Sequence, residues 1–413
     1  MDESNQLNRE QKIESDSKVH KRSASWIILL GIILIAVNLR APLTSVGPLV
    51  DLIRNQMHLS NTLAGLITTL PLLAFAFFSP FVPKLGRKFE VEVILLISII
   101  FLTIGIILRS LSGITTLYLG TAVLGLAIAV CNVLLPSLIK REFPAQMGVM
   151  TGVYSISMSL FGAIASGISV PIAIGLGYGW QGALGVWGIL SFISILFWLP
   201  QMKRYSRKTP TISHQEDNAP LNLWRSPLAW QVTLFMGLQS TVFYVLVTWL
   251  PEILKQQGVS SNQSGWLLSI MQLTSLPFTF IAPIIAGRMA NQRLLVTIIA
   301  ICLFIGNVGL LYGSLNLIIL WIVMLAIGVG LSFGLSMIFF VLRTENARQA
   351  SELSGMAHSV GYLLAAMGPT FFGYLHDLTN SWNIPLLILA GVSVLLLIVG
   401  LGSAKNQYIS SGK

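Results

Sequence analysis

The sequence predicts an all-α membrane protein of twelve transmembrane helices, arranged as two six-helix halves that repeat each other. Three observations lead there. The chain is 54% hydrophobic and only 10% charged over 413 residues, against about 25% charged in a soluble domain. Its apolar residues fall in runs of about twenty, the length that crosses ~30 Å of hydrocarbon as a helix. Glycines, prolines and basic residues recur between the two halves at a nearly constant spacing. A closed β-barrel is excluded. Its strands would alternate apolar and polar over ~10 residues, whereas these runs are apolar on all sides.

In chain order, residues 1–25 are polar and mixed in charge, without the apolar core and cleavage site of a signal peptide. The first helix is therefore expected to be retained behind a cytoplasmic tail. The first half, 26–199, holds spans at roughly 26–50, 61–81, 91–109, 114–138, 147–175 and 181–199. Residues 200–226 are polar and basic and read as a cytoplasmic linker with no domain of its own. The second half, 227–402, holds spans at roughly 227–250, 262–286, 294–312, 316–341, 353–375 and 384–402, and 403–413 form a cytoplasmic C-terminal tail. Pro and Gly inside several spans are tolerable because neighbouring helices re-satisfy the freed backbone groups.

Charge sets the orientation. Basic residues crowd the N-terminal tail and alternate loops: Lys84, Arg87 and Lys88; Lys140 and Arg141; Lys203, Arg204, Arg207 and Lys208; Arg288 and Arg293; Arg343 and Arg348. The opposite loops hold little beyond Arg54, Arg109 and Lys255. Lys and Arg mark cytoplasmic loops, so both termini are expected in the cytoplasm of a cell-membrane protein. The same rule accounts for the net charge of +10, which therefore implies no nucleic-acid partner. Cys131 and Cys302 lie inside apolar runs and read as small buried hydrophobes, not a disulfide or a metal site.

The repeat is read residue by residue. One offset places Pro48 on Pro251, Pro80 on Pro283, Gly125 on Gly328, Gly152 on Gly355 and Lys140 on Arg343, and a spacing one shorter brings Trp180 to Trp382. Parallel repeats of six spans characterise the major facilitator fold, with its site between the halves near the membrane midplane.

The candidate site starts from Arg40, in the middle of the first apolar run. A guanidinium keeps its charge there and costs at least a few kcal/mol unless something pairs with it. At 1.5 Å per residue it lies ~20 Å from the start of its span and ~15 Å from the end. It could snorkel to headgroups, bond carbonyls freed near Pro42, or face a solute. Every Asp and Glu falls in a tail, a loop or at a helix end, so no mid-span carboxylate is available to it. An incoming anion, or a polar molecule with an acceptor group, could neutralise it. Thr44 is one turn away and can share its cavity, while Asn38 lies on another face and reads as a bond to a neighbouring helix. Asn132 and Pro136 share a face of the fourth span, where Asn132 lines the path or bonds across helices. In the seventh span Ser240 and Tyr244 share a face with Gln239 adjacent, and the repeat offset places Arg40 on Phe243 and Ala41 on Tyr244. Gln272 is a further candidate. His358 and Tyr362 are one turn apart in the eleventh span, and His358 is the one deep group that titrates near neutrality, hence the candidate proton carrier. Small residues four apart, Gly148 with Gly152 and Gly162 with Ser166, suit close helix packing and a rocking seam.

The stretch Asn38-Leu39-Arg40-Ala41-Pro42-Leu43-Thr44-Ser45-Val46-Gly47-Pro48-Leu49 resembles the first helix of the cyanate permease and 2-nitroimidazole transporter family of the major facilitator superfamily. Thr248-Trp249-Leu250-Pro251, Ser359-Val360-Gly361-Tyr362 running on to Gly368-Pro369, and Gly373-Tyr374-Leu375-His376-Asp377 with Trp382 are similar to the same family. Lys84-Leu85-Gly86-Arg87-Lys88 resembles a degenerate form of the superfamily's loop between spans two and three, without its usual aspartate. The resemblance also implies an uncharged amide where this chain has His358.

The reading is a secondary transporter moving a small anionic or polar solute, such as a cyanate-like anion, by alternating access, with Arg40 as the central binding residue. The alternative is an exporter of small nitroheterocycles such as 2-nitroimidazole. Expected partners are the solute, the bilayer, and protons or a counter-transported anion, with the chain a monomer. No cofactor is expected. An intramembrane enzyme would need a nucleophile with its base, or a metal cluster, and no HExxH, GxSxG or paired intramembrane carboxylates occur. The loops are too short for a receptor domain, and no phosphate-binding P-loop is present.

Overall fold

In hydrocarbon a helix lets each N–H find a carbonyl within its own segment, and the apolar runs fold accordingly. The computed structural model describes residues 26–59, 61–205 and 223–409, and among these there is no strand. The first half comprises α1 (26–44), α2 (Asn61–Phe78), α3 (Val91–Arg109), α4 (Ile114–Glu142), α5 (Met147–Val170) and α6 (Trp187–Tyr205). The second comprises α7 (Pro227–Gln256), α8 (Ser261–Arg288), α9 (Arg293–Tyr312), α10 (Ile318–Leu342), α11 (Ala347–Thr379) and α12 (Asn383–Ser403). Residues 1–25, 206–222 and 410–413, which include most of the expected tails and linker, lie outside the described residues.

Among the described residues eleven stretches are long and apolar enough to cross a membrane. The remaining long helix, α11, is less apolar because its 33 residues include Arg348, Gln349, Glu352, His358 and His376. Four expected spans are broken; in the second, α2 stops at Phe78 and passes through a 3-10 turn, Ser79–Phe81, into a short helix, Val82–Lys88. The first stops at Thr44, turns, and resumes as a single 3-10 turn, Gly47–Leu49, and a short helix, Val50–Met57. Pro42 and Pro48 each lack the N–H that would continue the ladder. The fifth ends in a wider turn, Pro171–Gly175, and the sixth is divided into Gly179–Gly185 and α6. Others run long: α4 continues to Glu142, where the helix leaves the apolar run with Lys140 and Arg141 in its last turn.

Within the first half α3 packs on α4 and α6, and α2 on α4; within the second, α7 packs on α11 and α12, and α9 on α10 and α12. Large apolar side chains such as Phe101, Ile107, Leu387 and Ile398 face outward, as a surface solvated by lipid requires.

The halves meet along two seams, α5 against α8, and α2 with α4 against α11. Glycine makes each close approach possible. A methyl on Gly152 would lie 2.8 Å from the Phe280 carbonyl oxygen, and one on Gly355 2.9 Å from that of Ser79. These two glycines are the pair matched by the sequence repeat, so equivalent positions form equivalent seams. At the basic end, Lys140 Nζ crosses to the C-terminal carbonyls of α10, donating to Val341 at 2.6 Å and also to Thr344. Its repeat mate Arg343 instead turns into its own half, bonding the Ser403 carbonyl at 2.7 Å and the side chain of Gln292. Arg87 pairs with Glu352 across the second seam at 3.2 Å.

Candidate functional site

Between the seams lies a central cavity of about 40 Å³. α1 contributes Arg40 and Thr44; α5 contributes Ser159, Gly162 and Ala163; α7 contributes Gln239, Ser240, Phe243 and Tyr244. α8 adds Gln272, Ser275, Leu276 and Thr279, α10 adds Val329 and Phe333, and α11 adds Tyr362. Both halves therefore wall one small chamber that is polar on several sides.

Arg40 is its charge. Nη1 donates to Ser159 Oγ at 3.3 Å. The guanidinium carbon lies 4.6 Å from the centre of the Phe243 ring and 4.9 Å from that of Phe333, so a first-half cation rests on second-half aromatic faces. Such contacts are worth roughly 0.5–2 kcal/mol, short of what a buried ion requires. Among the described residues every ion pair lies toward the ends of the helices, and none includes Arg40: Arg87 and Arg348 with Glu352, Arg141 with Glu92 and Glu142, and Lys255 with Glu252.

The chain around Arg40 is fastened by its neighbours. Thr44 Oγ1 donates to the Gly162 carbonyl at 2.7 Å, tying α1 to α5 one turn beyond the arginine. Gly162 leaves room for the Arg40 stem, since a methyl there would come within 3.2 Å of Cγ and Cδ. Asn38 turns away from the cavity and donates to Ser194 Oγ of α6 at 2.8 Å.

Six of the eight candidate binding residues read from the sequence meet at this cavity: Arg40, Thr44, Gln239, Phe243, Tyr244 and Tyr362. Gln239 is nearly buried and donates to Ser240 Oγ at 2.8 Å. The structure does not bring Asn132 and His358 to the wall. Asn132 is buried behind it, its Oδ1 accepting from Tyr154 Oη at 3.2 Å and its carbonyl from Ser354 Oγ at 3.4 Å. His358 is 1% exposed. Its Nδ1 is 2.7 Å from the Ser354 carbonyl, and its ring sits between Phe340 and Tyr362, each 5.4 Å away centre to centre.

Ser159 and Phe333 were not singled out by the sequence. Ser159 had a signal available: the repeat offset that places Arg40 on Phe243 places Ser159 on Tyr362. Phe333 had none, being one aromatic among many in apolar helices. Arg109, expected among the few charges of the sparsely basic loops, is instead 1% exposed and donates from Nη1 to the Pro42 carbonyl at 2.7 Å. Its Nε and Nη2 have no partner among the described residues. The close approach of α3 and α4 at Gly105 and Gly120 buries it, and the broken end of α1 supplies the carbonyl. That is the bond to a freed carbonyl near Pro42 considered for Arg40; Arg109 makes it, and Arg40 stays in the cavity.

Two six-helix halves around a shared polar chamber define a multi-pass membrane transporter. The sequence profile of the Major Facilitator Superfamily matches residues 28–369, and the chain belongs to that superfamily. It is 40% identical over 383 residues to the 2-nitroimidazole transporter of Escherichia coli (strain K12), covering 93% of this chain and 96% of that one. It is 25% identical over 375 residues to the cyanate transport protein CynX of the same organism, covering 90% and 96%. In fold it is similar to the proton:xylose symporter XylE, with a TM-score of 0.76 over 95% of this chain and 98% of that chain at 13% sequence identity.

Proposed function

We propose that the protein is a secondary transporter of the cell membrane that carries a small anionic or polar solute by alternating access, with Arg40 as the residue that binds it. One observation carries this reading: the Arg40 guanidinium stands in a chamber shared by the two halves, with no carboxylate paired to it among the described residues. A permanent charge in such a place is stabilised by a guest with an acceptor group, and the low-dielectric walls of apolar helices strengthen that attraction. Rocking one half against the other about the two glycine seams would expose the chamber to each side in turn. The basic loops support a cytoplasmic location for both termini, and the chain is read as a monomer.

The second reading is export of a small nitroheterocycle. The aromatic faces of Phe243 and Phe333 beside Arg40 favour it, as they could stack on a flat ring. The 40% identical relative named for 2-nitroimidazole points the same way. A nitro group presents acceptor oxygens, so both readings place the same arginine at the centre.

Purified protein in proteoliposomes tests both. Uptake of cyanate and efflux of 2-nitroimidazole are measured for wild type, Arg40→Ala and Arg40→Lys. Arg40→Ala is expected to lower transport at least ~100-fold, the loss of a charge-assisted contact of about 3 kcal/mol. Near wild-type rates in both variants would remove Arg40 from the mechanism.

A further inference from the structure

The donors of Arg40 are unevenly used. A guanidinium has five N–H groups in a rigid plane. Nη1 is engaged with Ser159 Oγ, whereas Nε and Nη2 have no hydrogen-bond partner among the described residues. Those two atoms make up the side edge of the guanidinium, where two N–H groups point in parallel and match two oxygens of one planar group. The side chain has little freedom to offer another edge. Phe243 and Phe333 cover its carbon at 4.6 and 4.9 Å, and α5 runs against its stem at Gly162.

We propose that the unfilled side edge of Arg40, Nε with Nη2, selects solutes by a planar two-oxygen acceptor group, carboxylate or nitro, and disfavours linear anions. The inference rests on the reading that Arg40 binds the transported solute, and it narrows that solute to one acceptor geometry. A linear anion such as cyanate fills one of the two parallel donors and leaves the other without a matching oxygen. Charge alone does not set the ranking, since a neutral nitro compound presents the same pair of oxygens as a carboxylate.

The experiment is a binding series on the purified full-length protein at constant ionic strength, read by calorimetry and by the shift in melting temperature. The probes are 2-nitroimidazole, nitrite, acetate and cyanate. In wild type the three planar two-oxygen probes are expected to bind and cyanate at least about tenfold more weakly, the loss of one charge-assisted hydrogen bond being worth about that factor or more. Arg40→Lys keeps the charge but has no fork. It is expected to weaken the planar probes about tenfold or more and cyanate less than about threefold. Cyanate binding as tightly as nitrite to wild type, with binding lost in Arg40→Ala, would overturn the geometric selection and leave Arg40 as the binding residue. Affinities unchanged in Arg40→Ala would overturn both readings, and absence of binding by every planar probe would overturn the selection. If the arginine variants fail to fold, the rank order in wild type still decides the selection.

Discussion

Arg40 shows how much of a binding residue is made by its neighbours. Its depth in an apolar run and the lack of mid-span carboxylates are visible in the primary structure. The Ser159 bond and the Phe333 contact are not, because they depend on which faces of α5 and α10 turn inward, and those helices are apolar nearly all round. Gly162 offers a clean perturbation. In Gly162→Ala the new methyl would meet the Arg40 stem at 3.2 Å, so that the stem must give by a few tenths of an ångström. Binding is expected to weaken about threefold, a small part of the ~100-fold that a ~1 Å displacement can cost. The melting temperature should stay within about 2 °C of wild type; an unchanged affinity would show that the position of Arg40 is not critical. His358 illustrates the opposite case. Its intramembrane position suggests proton coupling, but its Nδ1 is held by Ser354 and aromatic rings lie on two sides. His358→Gln is therefore expected to keep the wild-type pH profile of transport between about pH 5 and 8, and a flattened profile would restore the histidine as carrier.

The helices themselves were legible because length and apolarity decide whether a segment spans. Their ends and breaks were less so. The first span looked continuous, yet α1 stops at Thr44 and resumes after a turn, a break that frees the Pro42 carbonyl for Arg109. Periodicity does not register such a partner, since Arg109 comes from a different helix and is buried only through close packing of α3 on α4. The small-residue spacing in α5 was readable, and its use is the seam with α8. Gly152→Val would drive side-chain atoms into the Phe280 carbonyl, already 2.8 Å from where a first methyl would sit. Transport by this variant is expected to fall at least about tenfold, with overpacking costing about 1–3 kcal/mol of stability. Wild-type transport would mean that this seam opens freely during the cycle.

Across the whole molecule the two halves are repeats in backbone but not in chemistry. Matching positions carry Arg40 and Phe243, or Ser159 and Tyr362, so a charged wall from one half closes on an aromatic wall from the other. Lys140 bridges the halves while its mate Arg343 stays in its own. The offset revealed this pairing of positions in the sequence, and the difference in their roles emerges only once the halves are packed. The account depends on a guest completing the charge of that chamber, and a structure of the full-length protein with 2-nitroimidazole or nitrite bound tests it most directly. The expected result is a guest in the central cavity with acceptor oxygens ~2.7–3.0 Å from the Arg40 nitrogens. A guest bound elsewhere, with Arg40 joined to a carboxylate of the protein or reaching toward lipid headgroups, would contradict it.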